Sequence, residues 1–181
     1  MPSNHSCRSY RRPQTNTLYM SNYQLDDVDR QILYSLQEDA RNNSNADISD
    51  QVGVSPSTVG NRIQQLEANG IIRGYQPNID YDKADLPLRV LFICTTSITE
   101  RADLIQDILD LPGVTNVTEL MTGNNNILVE VVGSNNKDIT QLATAIDTRN
   151  ISMNEEILIK NNYPQPAGIF DIADHYEDTE Q

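Results

Sequence analysis

The sequence predicts an α+β protein of two small domains, a helical unit followed by a domain of βαββαβ order. Three observations support this prediction. Residues 24–75 carry apolar side chains at helical spacing, with clear start and stop signals. Residues 88–163 alternate between strand and helix patterns. The stretch 76–87 between them contains two prolines and several acids, which is typical of a linker.

The first two helices of the helical unit are predicted by residues that favour helix ends. Asp26 is a candidate N-cap, and the polar stretch 41–45 ends the helix that it begins. A short second helix is expected over residues 46–52. Gly53 then supplies the tight turn that a closely spaced helix pair needs.

A third helix is expected directly after this turn. Ser55 is its candidate N-cap, and Pro56 falls at the first helical position, where a missing N–H costs nothing. The pair Asn69-Gly70 is a typical C-terminal signal. Two short helices joined by a tight turn, the second well capped, indicate a helix-turn-helix. A short extended wing is then expected at Ile71, Ile72 and Tyr75.

The third helix is the candidate DNA-contact element. Its predicted outer face carries hydrogen-bonding side chains of the kinds that reach base edges and phosphates. Residues 55–75 hold two arginines against the single acid Glu67, so the local charge is positive in a chain of net charge −13. From these residues alone, DNA binding and a three-helix packing module with a polar face both remain open. The expected DNA-contacting residues are Ser55, Ser57, Thr58, Asn61, Arg62, Gln65 and Arg73.

The second half of the chain predicts a four-stranded sheet with two helices. The expected strands are 88–96, 114–121, 126–132 and 151–161, and the expected helices are 99–110 and 137–147. This order is the ferredoxin-like plan. The plan leaves one face of the sheet without helices, and a second copy of the same chain is the simplest cover. We therefore expect a homodimer.

The composition of the chain is strongly acidic. Asp and Glu number 26 against 13 Lys and Arg, and the surface is expected to be poor in lysine. Such a surface suits a protein kept soluble in concentrated salt, as in a halophile, although an ordinary acidic cytosolic protein has the same signature. The acidic total argues against indiscriminate nucleic-acid binding and leaves specific binding by a local patch open.

Membrane proteins, metalloproteins and enzymes find little support in the sequence. No apolar run approaches the ~18 residues of a membrane span. Cys7 and Cys94 are far apart and lack metal-ligand spacing, which fits a reducing cytoplasm. The histidines, His5 and His175, lie in expected tails, and no phosphate-cradling glycine loop or Ser-His-Asp set is visible. We expect a cytoplasmic protein without catalytic residues, metal or cofactor.

Three stretches of the sequence resemble one known family. LDDVDRQILYSLQEDAR resembles the opening helix of the Lrp/AsnC (leucine-responsive/asparagine-responsive) transcription regulators, and GVSPSTVGNRIQQLEANGIIRGYQ resembles their recognition helix and wing. LPGVTNVTELMTGNNNILVEV resembles the hairpin of their effector domain. The resemblance implies a regulator that binds double-stranded DNA, with a winged helix-turn-helix followed by a ferredoxin-like effector domain. It also implies dimers through the sheet, often assembled into larger even-numbered rings.

The resemblance further implies a small-molecule site, because many members bind an amino acid between effector domains. The family motif is Thr-Gly followed, after two residues, by Asp. Thr122 and Gly123 match it, but the Asp position holds Asn126, whose amide offers an ammonium group only a neutral acceptor. Met121 could line the pocket or simply pack, and some members sense no small molecule. The expected effector-binding residues are Met121, Thr122, Gly123 and Asn126.

An enzyme on the same plan is the alternative that we weighed. Some Lrp/AsnC-like proteins resemble sirohaem decarboxylases, which act on a tetrapyrrole. That chemistry would want histidine and basic groups in the effector domain, where this sequence has no histidine. We therefore favour the regulator.

The two ends of the chain are expected to lie outside both domains. Residues 1–23 predict a disordered extension, and residues 164–181 an acidic tail. Residues 1–19 contain three arginines and no acid, so we expect that translation starts at Met20, although a basic arm that touches DNA phosphates is the rival interpretation. The tail leaves room for a short docked segment around Ile169, Phe170 and Ile172.

Overall fold

The computed structural model describes residues 23–97, 99, 101–149 and 151–171. The chain divides into two compact units, one made of residues 1–76 together with 164–181 and the other of residues 77–163. The predicted N-terminal extension, the predicted start at Met20, both histidines and Ile172 lie outside the described residues.

The first unit is built on three helices: α1 (Asp27–Asp39), α2 (Asn45–Val52) and α3 (Pro56–Ala68). Local capping explains where they begin. Asp26 forms a capping box with Asp29, Ser44 forms one with Asp47, and the Ser55 side chain accepts from the amide of Thr58. The turn between α2 and α3 has Gly53 at φ 76°, a left-handed conformation that favours glycine. The predicted helix-turn-helix is confirmed.

The core of the first unit lies between these helices. The isoleucines at positions 32 and 48, together with Val59 and Leu66, are fully buried, and Leu33 is nearly so. Each comes from the apolar stripe of its helix, so helical periodicity alone places them inward. This packing fixes the orientation of α3 and leaves its polar side facing solvent.

The segment after α3, where the wing is expected, has no strand pairing in this structure. No strand forms in residues 71–80, all of which the structure describes. The amides of Ile71 and Ile72 both donate to the carbonyl of Leu66, at 2.9 and 3.2 Å, and close the last turn of the helix. Since these amides are used in the helix end, they are not available for a strand ladder.

The second unit is a four-stranded antiparallel sheet with two helices. Its elements are β1 (Leu88–Thr95), α4 (Arg101–Leu109), β2 (Val114–Glu119), β3 (Ile127–Gly133), α5 (Asn136–Asp147) and β4 (Ser152–Leu158). The strand order β2-β3-β1-β4 confirms the predicted ferredoxin-like plan. Strand β4 ends earlier than expected, and only the Ile159 amide, bonded to the Arg89 carbonyl at 2.8 Å, continues its pairing.

The two faces of this sheet differ. Alternate residues of β1 and β3, such as Val90, Phe92 and Val129, are buried in one core together with apolar residues of α4 and α5. The intervening residues point to the opposite face and are only partly buried, although they include several large apolar side chains. These are Leu91, Ile93 and Leu128, with Ile157 of β4 at 41% exposure. Arg89 and Glu130 add an ion pair of 2.8 Å to that face.

Candidate nucleic-acid interface and effector site

The N-terminus of α3 carries three hydroxyl groups. The Ser55 Oγ accepts from the Thr58 amide at 3.1 Å and lies 2.9 Å from the Ser57 Oγ and 2.8 Å from the Thr58 Oγ1. Ser55 and Ser57 are exposed and Thr58 is half-buried. The first turn contains no acid. A helix N-terminus of this kind is positive in sign and rich in donors, so it suits an approaching phosphate.

Further along α3, uncharged polar side chains occupy the exposed face. Ser57, Asn61 and Gln64 follow the spacing of one helix face and are all exposed. Gln65 is exposed as well, on the flank nearer to Tyr23, with 3.5 Å between its Oε1 and the Tyr23 hydroxyl. Gln64 was not among the expected contact residues, although its helical spacing from Ser57 is the signal that identifies it.

Arg62 is partly exposed and forms ion pairs with two acids at the start of α1. Its Nη2 lies 2.8 Å from Oδ2 of Asp26, and its Nη1 lies 3.4 Å from Oδ1 of Asp29. The Asp29 side chain is fully buried and also accepts from the hydroxyl of Tyr23 at 3.0 Å. Arg62 therefore pairs with the start of α1 while it stays partly exposed, because a buried carboxylate keeps a cation beside it, and its contact with DNA stays a prediction. We call Tyr23, Asp26, Asp29 and Arg62 the α1–α3 clamp.

The charges of the α1–α3 clamp support one another. Burial acts to raise the pKa of Asp26, but the amide of Asp29 and the positive charge of Arg62 outweigh it and hold that pKa below its ordinary value. The hydrogen bond with Tyr23 and the two carboxylates hold the pKa of Arg62 above its ordinary value. Asp26 and Arg62 are therefore both charged at neutral pH, and the clamp joins the start of α1 to the middle of α3.

Two further side chains follow α3. Arg73 is exposed in the segment beyond Gly70, so its charge is accessible to a partner. Tyr75 turns back toward the helix, where its hydroxyl donates to Oε1 of Glu67 at 3.0 Å. Burial and the Glu67 carboxylate raise the pKa of Tyr75 to about 12, so this hydroxyl remains a donor at all ordinary pH values. The one acid of α3 thus has a partner within the unit.

Three of the four expected effector-binding residues lie on an exposed loop between β2 and β3. Met121 is fully exposed, and open space surrounds the position where Gly123 would carry a Cβ. The Thr122 hydroxyl donates to the carbonyl of Asn124 at 2.8 Å and shapes the loop from within. This loop can meet another molecule, and a single chain leaves it uncovered.

Asn126 behaves differently from its neighbours, being only 1% exposed. Its Oδ1 accepts from the amide of Thr96 at 3.0 Å, and its Nδ2 donates to the carbonyl of Thr96 at 2.9 Å. The Asn126 side chain thus bonds to both the amide and the carbonyl of Thr96, as the backbone of a neighbouring strand would. The expectation that Asn126 offers its amide to an effector is corrected, because both ends of that amide are already bonded.

Arg101 is a buried cation near this loop that the sequence did not reveal. Its side chain is 9% exposed and reaches Oε1 of Glu119 at 3.1 Å and the carbonyl of Leu120 at 3.4 Å. An arginine in the first turn of an amphipathic helix ordinarily looks solvated, so no sequence signal distinguishes it. Leu120 in turn donates its amide to the carbonyl of Asn126, which links this cation to the strand ends.

The described residues contain neither a metal-binding cluster nor a membrane-spanning helix. Within them, no group of three or more His, Cys, Asp or Glu is placed to hold a metal ion. No helix in the same residues is both long and apolar enough to cross a membrane.

Comparisons with known proteins agree with this architecture. A family described as winged helix-turn-helix DNA-binding matches residues 25–73. The transcriptional regulator AldR of Mycolicibacterium smegmatis is 30% identical over 118 residues, which cover 64% of this chain and 68% of AldR. The leucine-responsive regulatory protein of Haemophilus influenzae is 34% identical over 86 residues, which cover 48% of this chain and 51% of that protein.

Solved structures share the fold over most of the chain. The crystal structure of MtbAldR is 26% identical, covers 79% of this chain and 99% of its own, and has a TM-score of 0.66. Two structures below 25% identity support the fold alone. The first is AsnC of E. coli, which has a TM-score of 0.63 and covers 80% of this chain and 98% of its own. The second is a Neisseria meningitidis transcriptional regulator in complex with L-Met, which has a TM-score of 0.65 and covers 79% of this chain and 94% of its own. The helix-turn-helix, the antiparallel sheet and the extent of the match to AldR together show that the chain belongs to the Lrp/AsnC family of DNA-binding transcription regulators.

Proposed function

We propose that the protein regulates transcription by placing α3 in the major groove, where Ser57, Asn61 and Gln64 contact base edges. The observation that carries the proposal is the exposed row of uncharged hydrogen-bonding side chains on a well-capped helix. Amide and hydroxyl side chains can read bases directly, since each pairs with a particular set of donors and acceptors in that groove. The neighbouring hydroxyls of Ser55 and Thr58 contact phosphate.

Charge plays a smaller part in this mode of binding than is usual for a DNA-binding protein. The chain has a net charge of −13, and the one arginine of α3 is engaged in the α1–α3 clamp. Within residues 55–75, all of which the structure describes, the other arginine is Arg73, and it is exposed. Because each phosphate neutralised by a cation contributes about −0.9 to the salt slope of the affinity, we expect a shallow slope of about −1 to −3 for each DNA-binding unit.

The test measures binding of a labelled fragment of the protein's own promoter by fluorescence anisotropy over a range of KCl concentrations. Asn61→Ala should lower affinity by about 5- to 150-fold and relax preference at one operator position, as loss of a base contact does. Gln141→Ala, an exposed change on α5, is the matched control and should have no effect. Unchanged operator affinity in both Asn61→Ala and Ser57→Ala would overturn the assignment of α3.

We further propose that two chains pair through the sheet face that carries Leu91, Ile93 and Leu128. These side chains are only partly buried in one chain, and a second copy would cover them. The pairs then assemble into larger even-numbered oligomers. Light scattering of the full chain should show a dimer or a multiple of it, and Leu91→Glu should shift it toward monomer. Leu109→Glu, on exposed helix α4, is the control, and a Leu91→Glu variant that stays fully paired would exclude this face.

The exposed loop at Met121, Thr122 and Gly123 is the proposed place for an effector of the amino-acid class. Asn126 supports the loop from beneath, while the loop itself remains accessible. The Neisseria meningitidis relative was crystallised with L-Met, which supports an amino acid as the class to test first. Calorimetry with the common amino acids should detect binding that Gly123→Arg abolishes. Binding that survives this substitution would locate the site elsewhere.

The cellular setting that we propose is the cytoplasm of an organism that keeps concentrated salt inside its cells. The excess of acids over bases supports this setting. A binding mode that relies on hydrogen bonds and shape would continue to work where counterion release contributes little.

A further inference from the structure

The end of the described chain returns to the DNA-binding unit. Strand β4 ends at Leu158, and the Ile159 amide makes the last bond to the sheet, at 2.8 Å from the Arg89 carbonyl. From Pro164 onward the chain belongs to the first unit. A 3-10 turn at Gly168–Phe170 follows, closed by bonds of 2.9 Å from Phe170 to Ala167 and from Asp171 to Gly168. We call residues 164–171 the return segment.

The return segment has one apolar anchor and one polar anchor. Phe170 packs against the apolar core of the first unit. The amide of Ala167 donates to Oε1 of Gln37, on α1, at 2.9 Å. Ile169, between these two positions, points away and is 72% exposed. The segment therefore packs on the first unit through Phe170 and the Ala167 amide, while the Ile169 side chain is exposed to solvent.

We propose that the return segment is a fourth packing element of the DNA-binding unit and stabilises α1 against local opening. The core that it joins is small, with its fully buried apolar side chains confined to Ile32, Ile48, Val59 and Leu66 in the described part of the unit. Units of this size bury a modest fraction of their surface, so one added aromatic side chain changes their stability appreciably. Pro164 and Pro166 restrict the segment before it docks, which lowers the entropy lost on docking.

We assign the return segment that packs beside α1 to the same chain and not to a partner. Between the last sheet bond at Ile159 and the polar anchor at Ala167 there are eight residue steps, which span at most about 26–29 Å when fully extended. A tether this short keeps the segment at a high local concentration beside its own unit. The same segment supplied by a partner chain is the alternative occupant, and a cross-linking experiment distinguishes the two.

The first experiment compares hydrogen exchange in the full-length protein, Phe170→Ala and Ile169→Ala, without DNA. We expect Phe170→Ala to speed exchange of α1 amides about 5- to 30-fold, as loss of part of a small core does, and to leave β1 and β3 unchanged. Ile169→Ala is matched in position and size and should behave as the wild type, because its side chain is exposed. Unchanged exchange in α1 of Phe170→Ala, or equal effects of both substitutions, would overturn the proposal.

The second experiment tests whether the return segment beside α1 belongs to the same chain or to a partner. Gln37→Cys and Ala167→Cys are combined with Cys7→Ser, and the full chain is treated with a short bis-maleimide. Cys94 is fully buried and stays unreacted in the folded protein. A cross-linked peptide joining positions 37 and 167, found by mass spectrometry in the one-chain band of a denaturing gel, supports the proposal. The same peptide found only in a band at twice that mass assigns the segment to a partner, and that result or the absence of the peptide overturns the proposal. Neither experiment depends on operator binding, so failure of the DNA-contact proposal leaves both readouts intact.

Discussion

Asn126 illustrates how one amide group can replace a stretch of strand pairing. The peptide group of Thr96 presents a donor and an acceptor side by side, and an asparagine side chain presents the complementary pair. A carboxylate in the same place could accept from the Thr96 amide but could not donate to its carbonyl. The departure from the family's acid at this position is therefore matched by a structural role for the amide.

The substitution Asn126→Asp tests this role. The carboxylate would face the Thr96 carbonyl in a site that is 1% exposed, so we expect a loss of about 1–3 kcal/mol, and more while the group is ionised. Since the buried position disfavours the charged form, the penalty should shrink as pH falls and the acid becomes protonated. Urea unfolding at neutral and acidic pH measures it. The exposed Asn124→Asp is the control, and equal stability of the two variants would contradict the backbone pairing.

The second residue-scale prediction concerns Arg62. Arg62→Ala would leave the buried Asp29 carboxylate with the Tyr23 hydroxyl and the Asp26 amide but without its cation. A fully buried pair broken in this way costs about 3–5 kcal/mol, and the partial exposure of Arg62 reduces our expectation to about 1–3 kcal/mol. Thermal unfolding of the first unit measures the loss. Arg73→Ala, an exposed change, should leave stability intact and make the salt slope of DNA binding shallower by about one.

The clamp also predicts a pH dependence. The pKa of Asp26 is below its ordinary value in the folded protein, so its contribution to stability is present above the unfolded pKa and is lost as pH falls through the folded pKa. Acid should therefore weaken the wild-type first unit below about pH 4. Arg62→Ala should show less of this sensitivity. If both proteins lose stability in parallel over that range, the charge of Arg62 does not stabilise Asp26.

At the scale of elements, the sequence determines the helix ends better than the wing. The cap at Asp26, the Ser55-Pro56 start and the turn at Gly53 all act through neighbouring residues, so they could be read from the sequence. The residues after α3 could not, because Ile71 and Ile72 have an apolar pattern that fits either a strand or a closed helix end. The choice between these two structures depends on where their amides find partners.

The same limit explains the partners of two expected site residues. Helical spacing put Arg62 on the polar side of α3, but its partners, Asp26 and Asp29, lie more than thirty positions away and are brought to it by packing. Thr96 directly follows β1 and Asn126 directly precedes β3, so the two meet only in the folded sheet. Pattern and capping therefore predict the elements and the exposed part of the site, while long-range polar pairs must be seen in three dimensions.

Gly60 gives a prediction at this scale, because it lies in α3 where α2 approaches. A Cβ at this position would meet Nδ2 of Asn45 at 2.9 Å. The Asn45 side chain is exposed and can move, so Gly60→Ala should be close to neutral, its better helix propensity offset by the contact. Combined with Asn45→Ala, the same change should stabilise the first unit by about 0.5–1 kcal/mol. Chemical denaturation of the single and double variants checks this, and a double variant no more stable than Gly60→Ala alone would contradict it.

At the scale of the whole molecule, the proposed regulator combines an acidic chain with a polyanionic partner. Its net charge of −13 repels DNA at a distance, and the proposed contacts on α3 act only at close range. Concentrated salt removes the long-range repulsion and leaves the short hydrogen bonds in place. The same salt should also decide whether the chain folds stably at all, since its carboxylates repel one another.

The last prediction is therefore a salt dependence of folding. The screening length is about 30 Å at 0.01 M salt, about 10 Å at 0.1 M and about 3 Å at 1 M. With 26 acids against 13 bases, we expect repulsion among the acids to persist until the screening length is short. We expect the unfolding midpoint measured by calorimetry to rise with KCl and to keep rising between about 0.1 and 1 M, by roughly 4–8 °C for each kcal/mol gained in a domain of this size. Replacing exposed acids, as in Glu155→Gln with Glu156→Gln, should reduce the salt requirement, because it removes two of the repelling charges. A midpoint that is already maximal at about 0.1 M would indicate ordinary screening in an acidic protein and would refute adaptation to concentrated salt.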